Sequence, residues 1–442
     1  MKPFLILCIL FSIYNCNDRN TSECKIAGVG VSSFSSRPAT TTSATTASAS
    51  TSLPYYTSEI KKDLTRSLLS PGKIYLYDKY LYINDKGWGI HIYDNSNPTN
   101  PVKFTSIQIS GNYDIAVKDG IIFADSYDGL LAIKLNDQGE PEVKTKLKDV
   151  FAGYGFTNMG VVSMGSVNPS SPENFFLIRQ YKNCPNKMFD FIPLFSLSQA
   201  SGSPTVTSTA TATGTATASS GTGGSLARFA INGDYLYVLS YSQLFTVKIS
   251  NPEKPSFVKV SNLEAVMETA FLFKTYLMLG STTGMFIYDL TTPENPTYVS
   301  KFTHARSCDP VVAQGNYAYV TLRAGCGTNA VNQLDILDIS DIKSPRLVKS
   351  YPMTNPFGLG IDNQYLFICD LQDGLMVYDI QNPSNISLLN RIQDTTPYDI
   401  ILTNPKATLT GSGGVYQYNY TSISNITLIS KIPKTLPPTS PL

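Results

Sequence analysis

The 442-residue chain holds only two histidines, His91 and His304, and a single tryptophan, Trp88. A metal centre built mainly from imidazoles is excluded by that count. None of the seven cysteines, Cys8, Cys16, Cys24, Cys184, Cys308, Cys326 and Cys369, belongs to a Cys-x-x-Cys pair. A zinc ribbon or a thioredoxin-type redox site is therefore not expected. Neither sign of charge dominates: 34 basic residues stand against 33 acidic ones, for a formal net charge of +1. With no dense Lys/Arg block, nucleic acid is not an expected partner. The glycine runs Gly221-Thr222-Gly223-Gly224 and Gly411-Ser412-Gly413-Gly414 open no helix, so they are not phosphate loops. No nucleophile-elbow motif occurs. Without a partnered nucleophile and acid, both histidines read as structural, and no catalytic residue is assigned.

Long apolar runs are also missing, except at the start. Lys2 precedes Phe4-Leu5-Ile6-Leu7-Cys8-Ile9-Leu10-Phe11, and Cys16 follows five residues later. The run is shorter than the roughly 20 residues that span a bilayer. It fits the apolar region of a cleaved signal peptide, expected over 1–15. Cys16 resembles the lipidated cysteine of the bacterial lipobox, although Ile13 and Asn15 stand where leucine and a small residue are favoured. That resemblance implies a lipid anchor on Cys16 and a place in the cell envelope, at the outer membrane or cell surface. The alternative is an ordinary secretory signal with Cys16 in a disulfide. Residues 16–56 are expected to form a stalk behind the anchor. Most of it is Ser, Thr and Ala, which bury too little apolar surface to offset chain entropy.

What the sequence has in abundance is tyrosine (27) and phenylalanine (21), set in a repeat. One pattern recurs: a strand, Tyr-φ-Tyr-φ (φ being an apolar residue), Gly-φ-x-φ-Tyr-Asp, Asn-Pro-x-x-Pro, and a last apolar strand. The third element is clearest at Gly89–Asp94, Gly284–Asp289 and Gly374–Asp379. Weaker copies begin at Gly129, Gln243, Gln333 and Gly414. Successive first residues are therefore 40, 114, 41, 49, 41 and 40 apart. The step of 49 contains a lengthened loop, Arg323 to Val331. Asn-Pro and Asp-Gly dipeptides mark the turns. Four short strands in about 41 residues are the signature of a propeller blade, because blades set in a ring bury faces that a lone blade exposes.

These residues resemble the LVIVD-repeat family of bacterial and archaeal cell-surface proteins, with Leu334-Asp335-Ile336-Leu337-Asp338 and Leu375-Met376-Val377-Tyr378-Asp379 nearest the namesake strand. The resemblance covers about residues 70–432 and implies a β-propeller, with almost nothing about activity. The expected fold is all-β, a propeller of four-stranded blades over 67–433. The long step of 114 leaves the blade number open. Residues 156–196 read as the first three strands of a degenerate blade, which favours eight blades. Seven is the alternative, with that region as an inserted hairpin. A low-complexity insertion is expected at about 197–225.

Several side chains converge once the repeats are aligned. Asp114, Arg228, Glu268, Asp309 and Asp399 fall at or beside the start of the innermost strand, at the channel mouth. Converging carboxylates there would suit Ca²⁺, while ordinary solvated loop acids are the plainer reading. No metal is assigned, and no other cofactor is expected. The aromatic neighbours Tyr113, Phe357 and Tyr398 form either a recognition surface or inter-blade packing. Cys308 and Cys326 fall on one face of one blade, where an exported protein can form a disulfide; two unpaired thiols are the alternative. Cys369 reads as a small buried hydrophobe. The functional expectation is a membrane-anchored envelope lipoprotein whose propeller binds or scaffolds a protein or glycan partner. A propeller hydrolase or lyase using the acidic mouth, and a purely structural envelope protein, are the alternatives.

Overall fold

The computed structural model describes residues 25–32, 59–126, 129–148, 150, 176–182, 189–193, 221–304, 310–324 and 331–435. The chain divides into two units, 1–49 with 163–212 and 50–162 with 213–442. In the first unit, strands Lys25–Ser32, Phe176–Lys182 and Phe189–Pro193 form a three-stranded antiparallel sheet in that order.

The second unit is a ring of seven antiparallel blades, spanning 71–108, 115–147, 229–262, 267–303, 311–352, 356–392 and 397–433. Each is a four-stranded meander running from the channel to the rim. The expected propeller is therefore present with seven blades, the alternative to the favoured eight. Of the two strands found in 156–196, Phe176–Lys182 pairs with Lys25–Ser32 and Phe189–Pro193 with Phe176–Lys182, in a separate sheet, so they do not supply an eighth blade. Met159–Met164, the remaining strand expected there, lies outside the described residues. Among the described residues no helix is long and apolar enough to cross a membrane.

The repeat motif has a physical reason at each position. The glycine opening the third strand lies against a neighbouring carbonyl. A Cβ on Gly374 (φ +83°) would lie 2.0 Å from the Ile392 oxygen, and one on Gly414 (φ +131°) 2.1 Å from that of Ile432. The closing aspartate turns the chain: Asp94 accepts the Ser96 N–H at 2.9 Å, Asp338 that of Ser340 at 2.9 Å, and Asp379 that of Gln381 at 2.9 Å. The Asn of Asn-Pro repeats the device one step on, with Asn97 accepting the Thr99 N–H at 3.2 Å. A register shift then separates the third and fourth strands in each blade, as at Ile92/Tyr93 and Val377/Tyr378. Such bulges sharpen the local twist.

The second and third strands carry the core. Leu81, Ile83, Ile90 and Ile92 are fully buried, as are their counterparts Leu366, Ile368, Leu375 and Val377. Both faces of these strands are apolar because a blade is covered on both sides. The ring closes between the last blade and the first. Ile74, Leu81 and Ile83 of the first blade pack with Ile401, Val415 and Ile432 of the last in one apolar cluster. The expected buried Cys369 lies in a neighbouring cluster, with no exposure.

The channel is not left open. Thr222–Gly223 forms a short strand against Leu76 and Tyr75 of the first blade's innermost strand. Residues 221–228 then thread the axis. Gly221 N–H donates to Val117 O at 3.1 Å in the second blade. Ser225 Oγ accepts the Leu359 N–H at 2.9 Å in the sixth. Ala227 O accepts the Ala270 N–H at 2.8 Å in the fourth. Residues 221–225, assigned from sequence to the end of the low-complexity insertion, therefore form structure. The glycines permit it: a Cβ on Gly221 would lie 2.3 Å from Leu76 O.

Candidate functional site: the plugged channel mouth

Residues that open the innermost strands surround a cavity of about 320 Å³ on the axis. The first blade supplies Pro71, Gly72 and Lys73, the second Tyr113, the third Arg228, and the fourth Glu268 and Thr269. The fifth supplies Pro310, the sixth Phe357, and the seventh Tyr398 and Asp399. Lys86 and Arg323 join from the loops after the second strands of the first and fifth blades. Leu226 of the threading segment also lines the cavity. Pockets of roughly 300–1,000 Å³ take small ligands, and this one is at the small end.

Of the sequence-predicted mouth residues, Arg228, Glu268 and Asp399 line this cavity, and Asp114 lies directly behind it. Asp309 lies outside the described residues, as do Cys16, Cys308 and Cys326. Tyr113, Phe357 and Tyr398 all face the cavity, and the rings of Phe357 and Tyr398 meet edge to face at 6.0 Å. The sequence reading missed Lys73, Lys86, Arg323 and Asp125. Lys73 lies near the start of the first blade's innermost strand and Lys86 directly after its second strand; the equivalent places are basic in only one other blade each, Arg228 in the third and Arg323 in the fifth, a signal too sparse to stand out.

Charge in the site is layered. Asp114 Oδ2 accepts from Lys73 Nζ at 2.7 Å and from the Arg228 N–H at 2.6 Å. Asp125 Oδ2 accepts from the Arg228 guanidinium at 3.1 Å, and its Oδ1 accepts the N–H groups of Tyr113 and Asp114 at 2.7 and 2.8 Å. Burial pushes the Asp125 carboxyl up, with Arg228 opposing. Burial pushes Lys73 down, against the pull of Asp114. Lys86 lines the cavity and is exposed at its opening. Desolvation and the ammonium groups of Lys73 and Lys434 press it down too. It lies over the Tyr398 ring at 5.7 Å, and Arg323 lies over Phe357 at 4.0 Å.

Asp399 is 1% exposed. Its Oδ1 accepts from Ser225 Oγ at 3.1 Å and the Ile400 N–H at 3.0 Å. No donor among the described residues reaches Oδ2, which is capped by Gly224: a Cβ there would lie 2.1 Å away. Burial pushes this carboxyl up to about 6, although the Ile400 N–H, Ser225 and Lys73 all favour its charged form.

Away from the mouth, His91 Nδ1 lies 2.9 Å from Ser106 Oγ and Nε2 lies 3.4 Å from Asp85 Oδ2. The order Ser–His–Asp is that of a catalytic triad, but His91 and Ser106 have no exposure and Asp85 has 1%. Trp88 stacks on the imidazole at 5.2 Å. Burial raises Asp85, but hydrogen bonds from His91 and the Ser70 N–H outweigh it, and the carboxyl sits below its ordinary range. Burial lowers His91. The trio ties the entry loop to the first blade and is not part of the lining of the channel-mouth cavity.

The LVIVD repeat profile matches residues 72–108, 223–262, 305–353 and 359–394, which fall on the first, third, fifth and sixth blades. The chain carries four LVIVD repeats. The other three blades share the LVIVD blade topology without matching the profile. No curated protein matches the chain by sequence. Among solved structures, the chain is similar to a functionally unknown protein from Desulfotomaculum acetoxidans, at 15% identity and TM-score 0.40, over 46% of this chain and 68% of that one. It is also similar to a putative 6-phosphogluconolactonase from Bacteroides fragilis, at 8% identity and TM-score 0.48, over 83% and 96%. The Pan2 WD40 domain of Neurospora crassa matches at 9% identity and TM-score 0.48, over 77% and 85%.

Proposed function

We propose that this LVIVD propeller is a binding platform of the cell envelope, anchored through a lipid on Cys16, that engages its partner at the plugged mouth. The observation that carries the reading is the axial cavity to which all seven blades contribute while residues 221–228 close the channel beneath it. A closed floor, aromatic walls and convergent charged groups make a receptacle rather than a conduit. A rigid ring holding variable loops suits recognition. Cations and carboxylates here already engage one another, as Lys73 and Arg228 do with Asp114. That chemistry favours a ligand-holding mouth over the alternative Ca²⁺ site. The envelope assignment rests on Lys2, the apolar run and Cys16.

Two experiments test the reading. Full-length protein carrying Arg323→Ala at the mouth is compared with Leu347→Ser on the rim for capture of envelope proteins and glycans. Loss of capture in the mouth variant alone is expected; equal capture by both overturns the mouth assignment. Cys16→Ala should move the protein from the membrane fraction to the soluble fraction. Unchanged fractionation, with no acyl group on the mature N-terminus by mass spectrometry, overturns the anchor.

A further inference from the structure

We infer that the axial cavity holds a small organic anion, a carboxylate or phosphate carried on a ring-sized body. This deepens the proposed mouth-binding reading and rests on it.

Two independent features point to an anion. The first is how the cations are compensated. Asp114 and Asp125 stand behind Lys73 and Arg228 and pair with them. Lys86 stands in front, facing the cavity, where its charge adds to that of Lys73 and is held over an aromatic ring. Ammonium groups lining one small cavity repel one another, and an anion between them relieves that repulsion. The second is the shape of the walls. Phe357 and Tyr398 meet edge to face, Arg323 lies over Phe357 and Lys86 over Tyr398, and all four line the cavity. A ring-bearing ligand would lie beside these aromatic walls, with its anionic group between Lys86 and Arg323. The cavity of about 320 Å³ limits the body to one or two rings. Of the two carboxylates in the lining, Asp399 is 1% exposed with its Oδ2 against Gly224, which leaves Glu268, on the fourth blade, as the acidic side chain an anion would have to lie away from.

The test is calorimetric titration of the full chain with matched pairs that differ only in charge: glucuronate with glucose, and benzoate with benzyl alcohol. The inference expects the anion of at least one pair to bind at least tenfold more tightly than its neutral partner. It expects Lys86→Gln to weaken that anion at least tenfold and Lys86→Arg to restore it, with the melting temperature unchanged in both variants. Affinity should fall as salt rises. Equal binding of neutral and anionic partners, or an anion affinity that Lys86→Gln leaves unchanged, overturns the inference. If no probe binds while Arg323→Ala still abolishes capture of a macromolecule, the small-anion inference fails and the mouth-binding reading stands. If capture too is unaffected, both fail.

Discussion

Asn95 and Gln417, 322 positions apart, exchange two amide hydrogen bonds of 3.0 and 2.8 Å across the seam where the last blade meets the first. Gln417 is 1% exposed and also donates to Pro98 O. No strand is shared across this seam; the pair, the apolar cluster around Ile74 and Ile401, and the Thr435 N–H donating to Leu68 O at 2.8 Å help close the ring.

Gln417→Ala should therefore destabilise the propeller by about 1–3 kcal/mol, because it leaves the Asn95 amide without its partner in a half-buried place. A urea melt checks this. The cycle with Asn95→Ala should show a coupling of roughly 0.5–3 kcal/mol. Additive effects would mean the seam does not depend on the pair.

Asp399 predicts a pH dependence with a definite sign. Its folded pKa, about 6, lies above the ordinary value of 3.8. Below the ordinary value both states are protonated and the shift contributes nothing. As pH rises toward 6 the unfolded chain releases its proton and the folded one does not, so stability falls. Above 6 the penalty is complete, on the order of 3 kcal/mol. Asp399→Asn should remove this component: the difference between wild-type and variant melting temperatures should move against the wild type between pH 4 and pH 6.5.

Ser225→Ala removes a hydroxyl that donates to Asp399 and accepts the Leu359 N–H. The loss should cost about 1–3 kcal/mol. It should also shift the Asp399 transition to higher pH, since one group favouring the carboxylate is gone. Hydrogen exchange should report faster exchange at Leu359.

Gly374→Ala places a Cβ 2.0 Å from a backbone oxygen at a φ of +83°. Gly120→Ala, at φ +74°, meets nothing within 4 Å. The second should cost only backbone strain, roughly 1–3 kcal/mol, and the first clearly more. Guanidinium melts of the two variants separate the close approach from the conformational term.

The blade was legible in the sequence because it is local. The Tyr-φ-Tyr-φ strand, the glycine of Gly-φ-x-φ-Tyr-Asp and the two successive Asp and Asn turns act over a few residues and recur mostly every 40 or 41. They determined the four-stranded unit, its repetition and the position of Asp114, Arg228, Glu268 and Asp399 near one mouth. Blade number was not fixed that way. Phe176–Lys182 has the pattern of any half-buried strand, and only its pairing with Lys25–Ser32 shows that it lies outside the ring. The plug was invisible for a similar reason. Gly221-Thr222-Gly223-Gly224 has no apolar periodicity, and it forms a strand because the channel offers Tyr75 and Leu76 as partners and has no room for a larger side chain. The cationic lining, too, came from closure. Lys73 and Arg228 hold equivalent places in the first and third blades, as Lys86 and Arg323 do in the first and fifth, but each place is basic in only two blades, and only a closed ring brings them to a common axis. Short-range backbone chemistry wrote the unit; the count of units, the filling of the channel and the charge at its mouth were decided by contacts between residues far apart in sequence.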